Sequence, residues 1–319
     1  GAALRLAAAR GPEAALHRAR PPHAGYARLR RAHAALRAQP DTPWPPLPDG
    51  PPLRAGDAGA PVEALRALLV ALGDLDGSVR TMGFDAPLEA AVRRAQGRLG
   101  LGVDGVVGPQ TRAALNVTPA ERLRQVALNL ERWRWLPAAL GSRHVAVDAA
   151  GMTVALIDDG RPLWKSRAIV GAPRTPTPGF SSAITHVVLS PYWNVPASIA
   201  RAEIFPRLAR DPGYLRRHHM ERMPGGRLRQ WPGPDNPLGP VKFIFANPFG
   251  VRLHGTATPA LFERTLRALS HGCIRAEHPL VLAEHLLAGW DAERIAAVVE
   301  AREEVWLELD APLAIHVMY

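Results

Sequence analysis

Apolar residues recur at helical spacing through the first part of the chain and alternate with polar ones through the second. In residues 1 to about 39, Leu4, Leu16, Tyr26, Leu29 and Leu36 predict helices too short to bury a core by themselves. The proline-dominated run 40–52 reads as a stiff, extended linker, with Trp44 placed to pin it to a neighbouring surface. Three amphipathic helices follow between 57 and 116. Val62, Leu65, Leu68, Leu69 and Leu72 mark the first, Leu88, Val92, Ala95 and Leu99 the second, and Thr111 to Leu115 the third, entered through Gly108-Pro109. Thr118 to Leu136 predicts another helix, with Thr118, Pro119 and Glu121 forming a capping box. Its Trp133 and Trp135 suit a ligand platform or packing anchors between domains, and a connecting helix favours anchors.

From His144 the period becomes two. Strands are expected at 144–148, 152–157, 168–170, 183–189, 243–246, 250–254, 304–309 and 314–318, with Asp158-Asp159-Gly160 as a hairpin turn. Helices at 279–287 and 292–301 flank them. The fold class is therefore α+β and multidomain, divided as 1–56, 57–117, 118–142 and a mainly β unit over 143–319. A long stretch rich in Arg, Pro and Gly interrupts that β unit; at about 198–238 it predicts a lid or substrate-shaping insertion.

Composition narrows the function. No uninterrupted apolar run approaches the ~18 residues of a membrane-spanning helix. The first residues lack the pattern of a signal peptide, and the chain starts without Met, which fits an exported protein whose signal was removed. The formal charge of +10 is carried almost wholly by arginine, Lys165 and Lys242 being the lysines. The short clusters around Arg30 and Arg217 have little aromatic interleaving, which argues against nucleic acid as a partner. A basic surface equally suits a polymer rich in carboxylates.

Cys273 is the single cysteine, so neither an internal disulfide nor a cysteine metal cluster is available, and no cofactor or metal is expected. It is either an inert buried thiol or a nucleophile. Its polar setting, Ser270-His271-Gly272-Cys273-Ile274-Arg275, favours the nucleophile. Thiolate attack on a carbonyl needs a proton acceptor and donors for the oxyanion. His254, at a strand end, is the candidate base, with Gly255 offering a carbonyl to orient it; His271 is the alternative base. The backbone at His271 and Gly272 can converge on an oxyanion, and Arg275 supplies a positive charge for a substrate carboxylate. An imidazolium beside Cys273 would keep the thiolate charged below the free-cysteine value of about 8.5.

Two resemblances follow from these motifs. Asp104-Gly105, Gly108 and Thr111 resemble the turn of three-helix peptidoglycan-binding domains, in which case residues 57–117 grip cell-wall polymer or merely space domains. His254-Gly255-Thr256 followed by Ser270-His271-Gly272-Cys273-Ile274-Arg275 is similar to the signature of L,D-transpeptidases with a YkuD-type catalytic domain. Val170 to Pro178, Asn129 to Trp135, Pro191 to Pro196 and Gly233 to Gly239 extend the likeness to the large periplasmic subgroup with an inserted peptidoglycan-binding domain. The resemblance implies a mechanism in which Cys273 attacks a tetrapeptide stem, releases D-alanine and holds the stem as a thioester. An amine of a second stem then resolves it into a 3–3 cross-link. His254 would be general base, the Gly255 carbonyl its orienter, and the backbone of His271, Gly272 and Cys273 the oxyanion hole. Ser270, Arg275, Tyr192, Trp193 and Asn194 would contact substrate, the last three being equally suited to strand-end packing. Donor and acceptor stems would be the partners, carbapenem β-lactams covalent inhibitors, and the periplasm the location. Hydrolysis of the same thioester, or a non-enzymatic wall-binding scaffold, are the alternatives.

Overall fold

The computed structural model describes residues 20–38, 45–78 and 81–319. Leu4, Leu16, Trp44 and the first part of the proline-rich linker lie outside them. The chain divides into two compact units between Ala138 and Ala139.

The first unit is helical. Helix α1 (Ala24–Ala38) packs along α5 (Pro119–Trp133), and a side chain at Gly25 would meet the Trp133 ring at 2.3 Å, so glycine permits the close crossing. Trp133 is thus a packing residue of this unit, while Trp135 is exposed. Helix α5 starts at the expected capping box: the Thr118 N–H donates to Glu121 Oε2 (2.8 Å) and the Glu121 N–H to Thr118 Oγ1 (3.2 Å). Between them, α2 (Ala60–Ala71), α3 (Ala86–Arg98) and α4 (Pro109–Leu115) bury the predicted apolar faces around Leu65, Leu69, Leu88, Val92 and Leu115.

Gln96 knots the turn ahead of α4. Its side-chain carbonyl accepts the N–H groups of Asp104 (3.1 Å) and Gly105 (2.9 Å), and its amide donates to Asp104 Oδ1 (2.7 Å), the Val106 carbonyl (2.9 Å) and Thr111 Oγ1 (3.2 Å). The residues of the Asp-Gly-x-x-Gly-x-x-Thr pattern therefore meet inside the unit and hold its loop. Their polar groups are spent there.

The second unit is built on a nine-stranded sheet in the order β10-β3-β11-β9-β8-β4-β12-β1-β2. The strands are β1 (Arg143–Asp148), β2 (Thr153–Asp158), β3 (Arg161–Gly171), β4 (Phe180–Leu189), β8 (Val241–Phe245), β9 (Leu253–His254), β10 (Ala268–Ser270), β11 (Ile274–Ala276) and β12 (Val305–Met318). Because β2 pairs with both β1 and β3, the sheet closes on itself. Asp159-Gly160 is the two-residue loop of the β2–β3 hairpin, with φ of 44° and 77° as a type I′ turn requires. Val145, Val147, Leu156, Ile184, Phe243, Leu253, Ile274 and Ile315 fill the core face. Each such side chain contributes about 1.5–3 kcal/mol when fully buried. Helices over Pro279–Leu286 and Ala292–Ala301 cover one side through Leu282 and Ile295.

Two expectations change. The strands expected at 304–309 and 314–318 are one strand, β12, whose register against β4 shifts between Glu308 and Leu313. Pro312, without an N–H, sits in that irregular stretch, where it costs no ladder bond. The polar insertion is also more ordered than a lid loop. It carries a three-stranded sheet, β5 (Trp193–Asn194), β7 (Leu228–Gln230) and β6 (Met220–Arg222). Short helical turns Ala197–Ile199, Ala200–Ile204 and Phe205–Arg210 bury Ala200 and Ile204 against Val195, Met220 and Leu228.

Candidate active site

Strand alternation puts the chemistry on the sheet face away from the core. In β11, Ile274 and Ala276 point into the core, so Arg275 points out; in β9, Leu253 points in and His254 out. Register then lines up a row across four strands: Ile169 on β3, Arg275 on β11, His254 on β9 and Lys242 on β8 are successive partners. Lys242 is neutralised by Glu304, Nζ to Oε1 3.2 Å. Cys273 precedes Arg275 by two positions, at the floor of a cleft of about 260 Å³. Thr175, Pro176 and Pro178 form one wall of the cleft, and Phe249, Gly250 and Val251 the other.

His254 is buried, and its Nδ1–H donates to the Gly255 carbonyl at 2.7 Å. A carbonyl only accepts, so this bond fixes the tautomer and leaves Nε2 as a proton acceptor. Burial, reinforced by the charge of Arg275 and opposed by the carbonyls of Gly255 and Leu238, pulls the imidazole down to about 4. That shift favours the uncharged imidazole at neutral pH, against the expectation of a resting thiolate–imidazolium pair. His271, the alternative base, is exposed at the rim of the cleft and faces Glu203 at 3.4 Å.

The nucleophile's turn is closed by two hydroxyls. Ser270 is buried; its Oγ donates to the Cys273 carbonyl (2.5 Å) and accepts the Gly272 N–H (3.1 Å). Thr177, also buried, donates to the Gly272 carbonyl (2.9 Å) and accepts the Gly171 N–H (2.8 Å). Gly272 has φ 109°, a conformation that glycine adopts without strain. Gly171 admits the return of the loop: a Cβ there would lie 2.2 Å from the Thr175 carbonyl oxygen. Thr175 itself donates to the Ser270 carbonyl at 3.1 Å.

These bonds correct parts of the expected site. The Gly272 N–H, expected among the oxyanion donors, is already committed to Ser270. Ser270, expected to contact substrate, is inward-facing and uses its hydroxyl to close the turn. Tyr192, Trp193 and Asn194 are not among the residues lining the Cys273 cleft. Arg229 stacks over the Tyr192 ring at 4.2 Å, Trp193 packs on the small core of the insertion, and Asn194 pairs with Arg229 in its sheet. Their strand-end packing is what the structure displays.

Phe249 and Glu203 carried no motif signal, and Thr177, within the Val170–Pro178 likeness, had no role assigned to it. Phe249 is half exposed and packs against Phe180, ring centroids 5.7 Å apart. Glu203 lies in the π-helical turn Ala200–Ile204 and is the insertion's link to the catalytic loop through His271.

Two stretches of the chain match known protein families. The model for the "L,D-transpeptidase catalytic domain" (YkuD) matches residues 142–299, and the one for a "Putative peptidoglycan binding domain" matches residues 58–115. The chain carries a YkuD-type L,D-transpeptidase catalytic domain preceded by a peptidoglycan-binding domain. A Haemophilus influenzae protein named "Putative L,D-transpeptidase" is 29% identical over 202 residues, covering 56% of this chain and 41% of that protein. The N-acetylmuramoyl-L-alanine amidase CwlM of Mycobacterium tuberculosis is 46% identical over 82 residues, 23% of this chain and 20% of its own length. The chain thus spans less than half of either relative. A crystallised L,D-transpeptidase fragment from Xylanimonas cellulosilytica matches 85% of this chain and 98% of its own at 17% identity, with a TM-score of 0.29. Among the described residues no cluster of His, Cys, Asp and Glu could hold a metal ion, and no helix is long and apolar enough to cross a membrane.

Proposed function

We propose that this protein is an L,D-transpeptidase that forms 3–3 cross-links in peptidoglycan. The observation that carries this reading is His254, tied by Nδ1 to the Gly255 carbonyl and leaving Nε2 to accept a proton on the face that bears Cys273. In the acylation step Cys273 Sγ attacks the carbonyl of the L-to-D peptide bond of a tetrapeptide stem. His254 Nε2 takes the thiol proton and gives it to the departing D-alanine nitrogen, so a C–S bond forms as the C–N bond breaks. The N–H groups of His271 and Cys273 stabilise the tetrahedral oxyanion. In the second step the amine of a neighbouring stem attacks the thioester. A new C–N bond forms, and the amine proton returns through His254 to the released thiolate.

The insertion over 193–230 acts as a cap, reaching the catalytic turn through Glu203 and His271. The helical domain binds peptidoglycan and the protein works in the periplasm, in keeping with the domain that matches residues 58–115. Carbapenems acylate Cys273.

Incubation with disaccharide-tetrapeptides, with products weighed by mass spectrometry, tests the reaction. Dimers that have lost one D-alanine are expected, and they disappear with Cys273→Ala. Shortened monomers alone would make the enzyme an L,D-carboxypeptidase, and carbapenem adducts that persist in Cys273→Ala would remove Cys273 from the nucleophile's role.

A further inference from the structure

We propose that the Arg275 guanidinium is the counter-ion of the Cys273 thiolate, stabilising the negative charge that forms as His254 takes the thiol proton. The inference rests on Cys273 being the nucleophile and departs from a role for Arg275 in gripping a substrate carboxylate.

Arg275 is the cation that the row leaves uncompensated. Its neighbours across the strands are Ile169 and His254, and no hydrogen bond or ion pair engages it among the described residues. Its Nε is buried without a partner. A largely buried cation in that condition is strongly disfavoured unless an anion joins it. The side chain two positions before it, on the same face, is Cys273. Burial pushes Arg275 down from its ordinary value, and the Cys273 charge pushes it back up.

The other charged or titratable groups near the thiol fit the role less well. His254 on β9 donates to the Gly255 carbonyl. Lys242 on β8 is spent on Glu304. Arg252, just before β9, donates to the Val251 carbonyl at 2.9 Å. Arg174 on the 171–178 loop is exposed, and His271 at the rim faces Glu203. No carboxylate pairs with Arg275 among the described residues, so the anion it complements is the one formed when Cys273 loses its proton. His254 then moves protons without having to stay charged, and the thiolate is stabilised by a cation that keeps its charge at every working pH.

The test is iodoacetamide alkylation of the full chain between pH 5 and 10, which reads Cys273 alone because it is the single cysteine. Arg275→Gln is expected to raise the pH midpoint by about one unit or more and to slow alkylation near pH 7 about tenfold. Arg275→Lys keeps the midpoint within about half a unit, since it keeps the charge. His254→Gln and Arg252→Gln move it less than Arg275→Gln. Arg275→Met, apolar and better suited to a buried place, replaces the glutamine variant if thermal unfolding shows that one misfolded. An unchanged midpoint in the folded Arg275 variants overturns the proposal, as does a midpoint that follows His254 or Arg252 instead. So does a KM increase in Arg275→Gln with alkylation unaltered, the signature of a carboxylate grip. Alkylation needs no substrate, so a failed cross-linking assay would remove the proposed reaction without touching this result.

Discussion

Thr177 Oγ1 donates to the Gly272 carbonyl at 2.9 Å while accepting the Gly171 N–H at 2.8 Å, so one buried hydroxyl ties the end of β3 to the turn that carries the nucleophile. Thr177→Val keeps the shape and removes both bonds. It leaves a buried N–H and a buried carbonyl without partners, at a cost of about 1–3 kcal/mol each in the least relaxed case. The Cys273 turn is then free to shift, and a displacement of about 1 Å at a reacting atom is worth roughly 100-fold in rate. We expect kcat to fall by about 10- to 100-fold with KM little changed, and Thr177→Ser to restore it. Steady-state kinetics on tetrapeptide substrates, read beside urea unfolding curves, checks this; a variant that loses stability but keeps kcat would limit Thr177 to folding.

Ser270 makes a parallel prediction with a different discriminator. Its hydroxyl is used inside the turn, by Gly272 and by the Cys273 carbonyl. Ser270→Ala should therefore lower kcat about tenfold or more and leave KM near that of the wild type. A rise in KM with kcat preserved would return Ser270 to the substrate-binding residues.

Much of this site was legible in the sequence because its parts are local. Ser270 to Arg275 form one continuous turn and strand, and Gly255 adjoins His254, so the residues pointed to a lone thiol with His254 or His271 as its base, and the family resemblance favoured the distant histidine with a carbonyl behind it. The helices were equally legible where apolar periodicity and caps agree, as at Thr118-Pro119-Glu121. The roles of Thr177 and Glu203 were not legible, since each acts through a partner far away in sequence and neither lies in an amphipathic pattern. The aromatic run Tyr192-Trp193 suggested a substrate wall, but its register in β5 turns it into the packing of the insertion. The charge of His254 was hidden for a related reason: burial and a cross-strand arginine decide it, and both depend on pairing that the sequence does not display.

In the helical unit, Gln96 joins Asp104, Gly105, Val106 and Thr111 through five hydrogen-bond contacts, so the glycine-rich turn depends on one amide. Gln96→Leu matches its size but deprives the turn of these partners. A loss of about 2–4 kcal/mol is expected, from several buried groups at about 1 kcal/mol or more apiece. Denaturant unfolding of the full chain should show an earlier transition for the helical unit, while alkylation of Cys273 keeps its wild-type rate. A simultaneous loss of both would mean that the two units unfold as one.

His254 sets the last prediction through its protonation. Its value falls from the ordinary 6.5 to about 4 on folding, because burial and the Arg275 charge disfavour the imidazolium. Between those limits the unfolded chain holds a proton that the native one lacks, so stability rises with pH across the interval. The contribution is fully present above about pH 6.5 and is lost as pH falls toward 4, where the native state must at last accept the charge. A shift of this size corresponds to roughly 3 kcal/mol at full extent. In His254→Gln the pair of urea-unfolding free energies at pH 7.5 and 4.5 should differ by less than in the wild type, by up to that amount. The same depressed value places the acid limb of kcat/KM well below 6.5, since His254 stays competent as a base until it is protonated. An acid limb near 6.5, together with equal pH sensitivity of unfolding in the two proteins, would show that His254 is far more hydrated in solution than its buried place on β9 implies.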